Sequence, residues 1–169
     1  MDPKFFEELK KTHNKMNIIG LVMAALVVVL AIVAEVMNAK GVRLSGMPED
    51  EVSLLRYVLL GITVTEFFLI KIIRNQVLAA TNPKAETLPP EKRFWFELPK
   101  FMAASFITLF LCEAISLYGF VLFILSGNTT DYYIFAAMSF IAFVIYFPKY
   151  NHWEESMRAK LSQISQKPQ

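Results

Sequence analysis

Glu113 is the only charged side chain in Phe101–Ser126, a run of 26 residues in which it holds the thirteenth position. At about 1.5 Å per helical residue the run crosses a ~30 Å hydrocarbon layer with some tilt, which puts this carboxyl near the middle. A charge there costs roughly 2.5–3.5 kcal/mol on insertion scales, so the acid is expected to be neutral, paired, or turned to a protein- or water-lined crevice. Two kinds of chemistry follow. Desolvation keeps a carboxyl neutral, and a nearby base or water access favours release, so exposure to both environments in turn makes an ion or proton carrier. A neutral acid held in one environment instead makes an interhelical hydrogen bond. Glu66, in Ser53–Ile73, is the second deep carboxyl. Thr63 lies one turn before it on nearly the same face, where a hydroxyl can reach the acid. Lys71 follows Glu66 by five positions, about 140° around the helix, and is expected to snorkel to the headgroups rather than pair with it. Glu35, at the outer end of the first apolar run, is expected to reach interfacial water.

Other chemistries lack their residues. Cys112 is the only cysteine, and His13 and His152 lie outside the apolar runs, so no disulfide, metal centre or haem is expected, and no cofactor. No phosphate-binding Gly-rich loop and no grouped nucleophile and base occur, so an enzyme is not expected. The formal net charge of +2 comes from bases spread at the edges of apolar runs, without a basic stripe for nucleic acid.

The elements that must position these acids are helices. With 55% hydrophobic residues and a mean hydropathy of +0.43, the 169-residue chain reads as an all-α, polytopic single membrane domain. Its four spans are expected at about 18–37, 53–73, 101–126 and 132–147. Asp2 and Pro3 open a short interfacial helix with Phe5, Phe6 and Leu9 on one face. Gly41, Gly46 and Pro48 punctuate the outer loop, and Glu49, Asp50 and Glu51 suit a helix start. Pro83, Pro89, Pro90 and Pro99 interrupt the middle segment 74–100. After Pro148, Trp153, Met157, Leu161 and Ile164 recur at helical spacing in a second interfacial helix, with the end beyond Ser165 expected to fray. Lys and Arg number 14 in the two termini and the middle segment against 3 in and beside the first outer loop, which predicts cytoplasmic termini in an inner membrane.

Leu111–Gly127, LCEAISLYGFVLFILSG, resembles the second helix of the rotary ATPase c-subunit, or proteolipid, in which a mid-membrane Glu followed by Ala and a Leu/Ile-Tyr-Gly step carries the translocated ion. The resemblance implies that Glu113 binds the ion and that the Tyr118 hydroxyl closes or supports the site. The second span and the Asn82–Pro83 step are similar to the family's first helix and polar loop, which would make Glu66 a further polar ligand. Ala114, in place of a hydroxyl residue, favours a proton over sodium. The chain departs from the family in having only Gly61 where the first helix is glycine-rich, in a longer middle loop, and in an extra span at each end. The expected function is therefore an ion-binding or proton-translocating subunit. The alternative is a noncatalytic scaffold or assembly subunit whose acids join helices. The expected partners are membrane lipids and either further copies of the chain or other membrane subunits.

Overall fold

The structure is a computed structural model and describes residues 3–41, 47–80 and 88–162. It is all-α, with helices α1 (Pro3–Ala39), α2 (Glu49–Ala79), α3 (Pro90–Ser126), α4 (Thr129–Tyr146) and α5 (Tyr150–Ser162). The first four are long and apolar enough to cross a membrane. Half of the apolar stretch of α3 is buried, against 17% for α1 and for α2, so α3 is the axis of the bundle. It packs against all four other helices, whereas α2 packs substantially against α3 alone.

The element ends follow from local chemistry. Pro48 precedes α2, and Glu49, Asp50 and Glu51 lie at the positive end of its dipole. Helix α3 stops at Gly127, whose left-handed φ of 70° lets its N–H bond the Phe123 carbonyl at 2.7 Å. The next residue, Asn128, caps α4 by accepting from the Thr130 N–H at 3.0 Å. Two residues, Gly127 and Asn128, therefore turn the chain between the two most closely packed helices.

That close packing depends on Gly119. A Cβ there would lie 2.6 Å from the Phe135 Cβ and 3.1 Å from the Tyr132 carbonyl oxygen, so only a glycine lets α3 and α4 approach this far. Between helices, hydroxyls use the second lone pair of backbone carbonyls, the acceptors that apolar surroundings leave available. Ser139 donates to the Cys112 carbonyl at 2.7 Å, Tyr146 to that of Phe67 at 2.7 Å, and Tyr132 to that of Val27.

Two expected interruptions are absent. The N-terminal segment is no separate interfacial helix; it continues unbroken into the first span as α1. Likewise, the middle segment is helical to Ala79 and again from Pro90, with Pro99 inside α3. Proline removes one helical donor, here the partner of the Trp95 carbonyl, and the surrounding packing of Phe94, Leu98 and Phe101 offsets that loss. Helix α5 lies where the apolar spacing predicts it, with Trp153 and Met157 buried. The Asp2 cap, the Gly46 turn, the Asn82–Pro83 step and the tail beyond Ser165 lie outside the described residues.

The N-terminal end of α1 is clasped by the opposite end of the chain. The buried His13 Nε2 lies 3.0 Å from the Pro148 carbonyl, and its ring meets the edges of Tyr150 and Trp153. With Asn17 donating to Nδ1, at 3.4 Å, Nε2 carries the proton that Pro148 accepts. Phe5 packs on Phe94 with centroids 4.9 Å apart, and the Arg158 guanidinium stands 4.5 Å over Phe6.

Candidate functional site

Glu113 lies on the buried side of α3, 6% exposed, where the apolar neighbours Cys112 and Ile115 are also sealed from solvent. Its nearest polar group is on its own helix. The Ser116 hydroxyl lies 3.0 Å from the Glu113 carbonyl oxygen and 3.4 Å from Oε1, and one hydroxyl proton serves the closer acceptor better. The other carboxyl oxygen, Oε2, is buried without a hydrogen-bond partner. Tyr132, from α4, is near enough to feel the carboxyl, but its own hydroxyl is committed to Val27.

Glu66 is 5% exposed and faces α3 from α2. The hydroxyl of Tyr118 is directed to this carboxyl. Its Oε2 is again buried and unpartnered. Thr63, fully buried one turn away, leaves its hydroxyl unpaired rather than bonding the acid. Thus the structure brings Tyr118 to Glu66, not to Glu113, because five residues turn Tyr118 about 140° away from Glu113 on the same helix. Cys112, next to Glu113 in α3, is fully buried. Glu66 also borders a groove of about 550 Å³ along the flank of α2, which Leu111 and Tyr118 of α3 close on the other side.

Two further carboxylates that the sequence reading passed over are fully paired. Asp131, in the first turn of α4, receives both the Nε and an Nη of Arg56 of α2, at 2.7 and 2.9 Å. At the opposite end, Glu97 of α3 accepts Lys100 at Oε1 and Lys160 of α5 at Oε2, both at 2.6 Å. Each ammonium also donates to the end of α2, Lys100 to the Ala80 carbonyl at 2.7 Å and Lys160 to that of Leu78 at 2.5 Å. Glu97 precedes the apolar part of α3. Burial opposes its ionisation, but Lys100 and Lys160 outweigh that and hold its carboxyl below the ordinary value of 4.5. Glu35 is exposed at the outer end of α1, as expected, and there Tyr133 of α4 donates to its Oε1 at 2.5 Å.

Sequence separation hid these pairs. Arg56 and Asp131 are 75 residues apart and Lys160 is 63 from Glu97, so no helical periodicity relates them. The available signal was an Arg and an Asp each within one or two turns of the outer end of an apolar run. Among the described residues no three His, Cys, Asp or Glu side chains are grouped to hold a metal ion. No family model, characterised protein or solved structure matches the chain.

Proposed function

We propose that this protein is a noncatalytic membrane subunit, a helical scaffold or assembly component in which acidic side chains join helices. The observation that carries this reading is the pair of ionic joints: Asp131–Arg56 ties α4 to α2, and Glu97 with Lys100 and Lys160 ties α3, α5 and the end of α2. Breaking such a joint leaves a buried charge uncompensated, so each one fixes the mutual placement of its helices. Both termini and the segment between α2 and α3 are assigned to the cytoplasmic side of an inner membrane on the distribution of Lys and Arg. In a Cys112→Ser background, cysteines at Glu91 and Thr130 should label from opposite sides; labelling from one side overturns the four-span topology.

The second reading is an ion-binding or proton-translocating subunit that uses Glu113, with Glu66 and Tyr118 in support. It is favoured by the unpartnered buried oxygens of both mid-span acids and by the proteolipid-like Leu111–Gly127 segment. Reconstitution separates the two. With matched protein amounts and oligomeric state, a scaffold gives the same pH-gradient decay for wild type and Glu113→Gln, since an amide still hydrogen-bonds a neighbouring helix. Proton flux in the wild type that Glu113→Gln abolishes selects the second reading instead.

A further inference from the structure

At the end of the bundle where Glu97 is paired, one base of α2 is left over. Among the described residues, Arg74 is half-buried with no hydrogen-bond acceptor and no anionic partner. The acids of that end are taken: Glu97 accepts Lys100 and Lys160 at its two oxygens, and Glu154 accepts Arg158 at 2.7 Å. A guanidinium carries five N–H donors in a fixed fork that matches a carboxylate or a phosphate, so one held against protein without an acceptor marks a place for an anion from outside the chain.

Arg74 lines a recess between α2, α3 and α5, together with Phe101, Ser105, His152, Trp153 and Ser156. Its base has room for one water-sized group, about 10 Å³, and with the mouth included its empty space is about 220 Å³. Phe101 and Trp153, each 2% exposed with ring centroids 5.6 Å apart, make it apolar on one side. The polar side can donate throughout, with a guanidinium, an imidazole and two hydroxyls, and among the described residues no Asp or Glu lines it. Ser105 is 7% exposed, yet its hydroxyl makes no hydrogen bond among the described residues. Thr108, one turn on, shows the ordinary outcome by donating to the Ala104 carbonyl at 2.7 Å.

We propose that this recess binds a phosphate group, from a phospholipid headgroup or free in solution. One phosphate oxygen enters the base, and Arg74, Ser105, His152 and Ser156 donate to the group. Its level along the helices selects phosphate among oxyanions. Arg74 directly follows the apolar run Ser53–Ile73, and Phe101 and Ser105 open that of α3, so the recess lies at the border of the hydrocarbon, where headgroup phosphates are concentrated. Arginine recognises phosphate by two parallel N–H bonds, and a basic pocket between transmembrane helices is the form such headgroup sites take. The inference goes beyond the reading of the function and is independent of Glu113 and Glu66.

The full-length chain carrying Trp95→Phe, in maltoside micelles, leaves Trp153 in the wall of the recess as the one fluorescent tryptophan. It is titrated with dilauroyl phosphatidylglycerol, with dilauroylglycerol, which has the same chains and no phosphate, and with inorganic phosphate at constant ionic strength. Phosphatidylglycerol should give a saturable change and dilauroylglycerol none. Arg74→Gln should weaken binding about tenfold, as loss of a charged donor does, and Ser105→Ala, which removes one atom, about threefold. Lys71→Gln removes the same charge from an exposed side chain outside the recess and should leave the affinity within about twofold. Displacement of the lipid by inorganic phosphate would make free phosphate a ligand; binding that phosphate leaves intact would assign the site to the headgroup, and both outcomes support it. An equal response to the two lipids, no response to phosphatidylglycerol or phosphate, or equal losses in Lys71→Gln and Arg74→Gln overturn the proposal. Should Arg74→Gln fail to fold, Ser105→Ala decides, and wild-type affinity in that variant overturns it.

Discussion

The ends of the bundle and its middle treat the same functional group in opposite ways. At the ends, Asp131 and Glu97 take a charge-assisted partner at each oxygen, in one case from a single guanidinium and in the other from two ammonium groups. In the middle, Glu66 and Glu113 each keep a buried oxygen without a partner, and their nearest donors are the hydroxyls of Tyr118 and Ser116. The reason lies in solvation. Near a headgroup region an ion pair retains some water and is easily formed, while deep in hydrocarbon a second charge adds its own insertion cost. Ionised carboxylates therefore serve as joints at the ends, and neutral ones in the middle are left to hydroxyls.

That contrast is broken most directly at Arg56. Arg56→Ala strands the Asp131 carboxylate, whose side chain is 4% exposed, and should cost about 3 kcal/mol in unfolding free energy measured by denaturant titration in mixed micelles. Arg56→Leu with Asp131→Leu should recover most of that, because the uncompensated charge is gone. A single-variant cost near zero would remove the ionic joint from the account.

A test of the middle comes next in size. Gly119→Ala drives a methyl to 2.6 Å from the Phe135 Cβ and should cost ~1–3 kcal/mol in the same titration, as overpacking does in a close-packed core. An unchanged midpoint would mean that α3 and α4 separate without penalty.

Smaller, but specific to ionisation, is the pH response of the Glu97 joint. Its folded-state carboxyl titrates below its unfolded value, so its stabilisation is fully present above the ordinary value of 4.5 and is lost as pH falls through the folded value. Thermal scans from neutral pH downward should show a decline below that point, which Glu97→Gln flattens. The smallest effect is expected at Glu113, where replacing a weakly bonded neutral acid by glutamine should change stability within about 0.5 kcal/mol, as an isosteric change that keeps its polar contacts. A larger loss would mean that Glu113 is held by more than Ser116.

The four apolar helices were legible because a run of about twenty apolar residues has few other solutions. Their ends were not. Residues 3–17 carry enough charge to look interfacial, yet contain nothing that stops a helix, and Pro99 reads as a break although packing of its neighbours keeps α3 continuous. Glu113 and Glu66 were recognisable from depth alone. The direction of Tyr118 was not, because its closeness to Glu113 in sequence says nothing of the α2 surface packed beside it. Arg56 is one of the three bases in and beside the first outer loop, and nothing in its own helix points to a partner in a turn 75 residues on.

The clasp between His13 and the Pro148 carbonyl has a consequence for synthesis. The two residues are separated by 135 positions, so at roughly 5–20 residues per second the histidine waits about 7–30 s after leaving the peptidyl-transfer site before its acceptor exists. Throughout that interval the first turns of α1 project from the nascent bundle without Pro148, Tyr150 or Trp153 to cover them. The buried end of α1 is thus completed by Pro148 and α5, and a ribosome that stalls within α4 leaves that end uncovered.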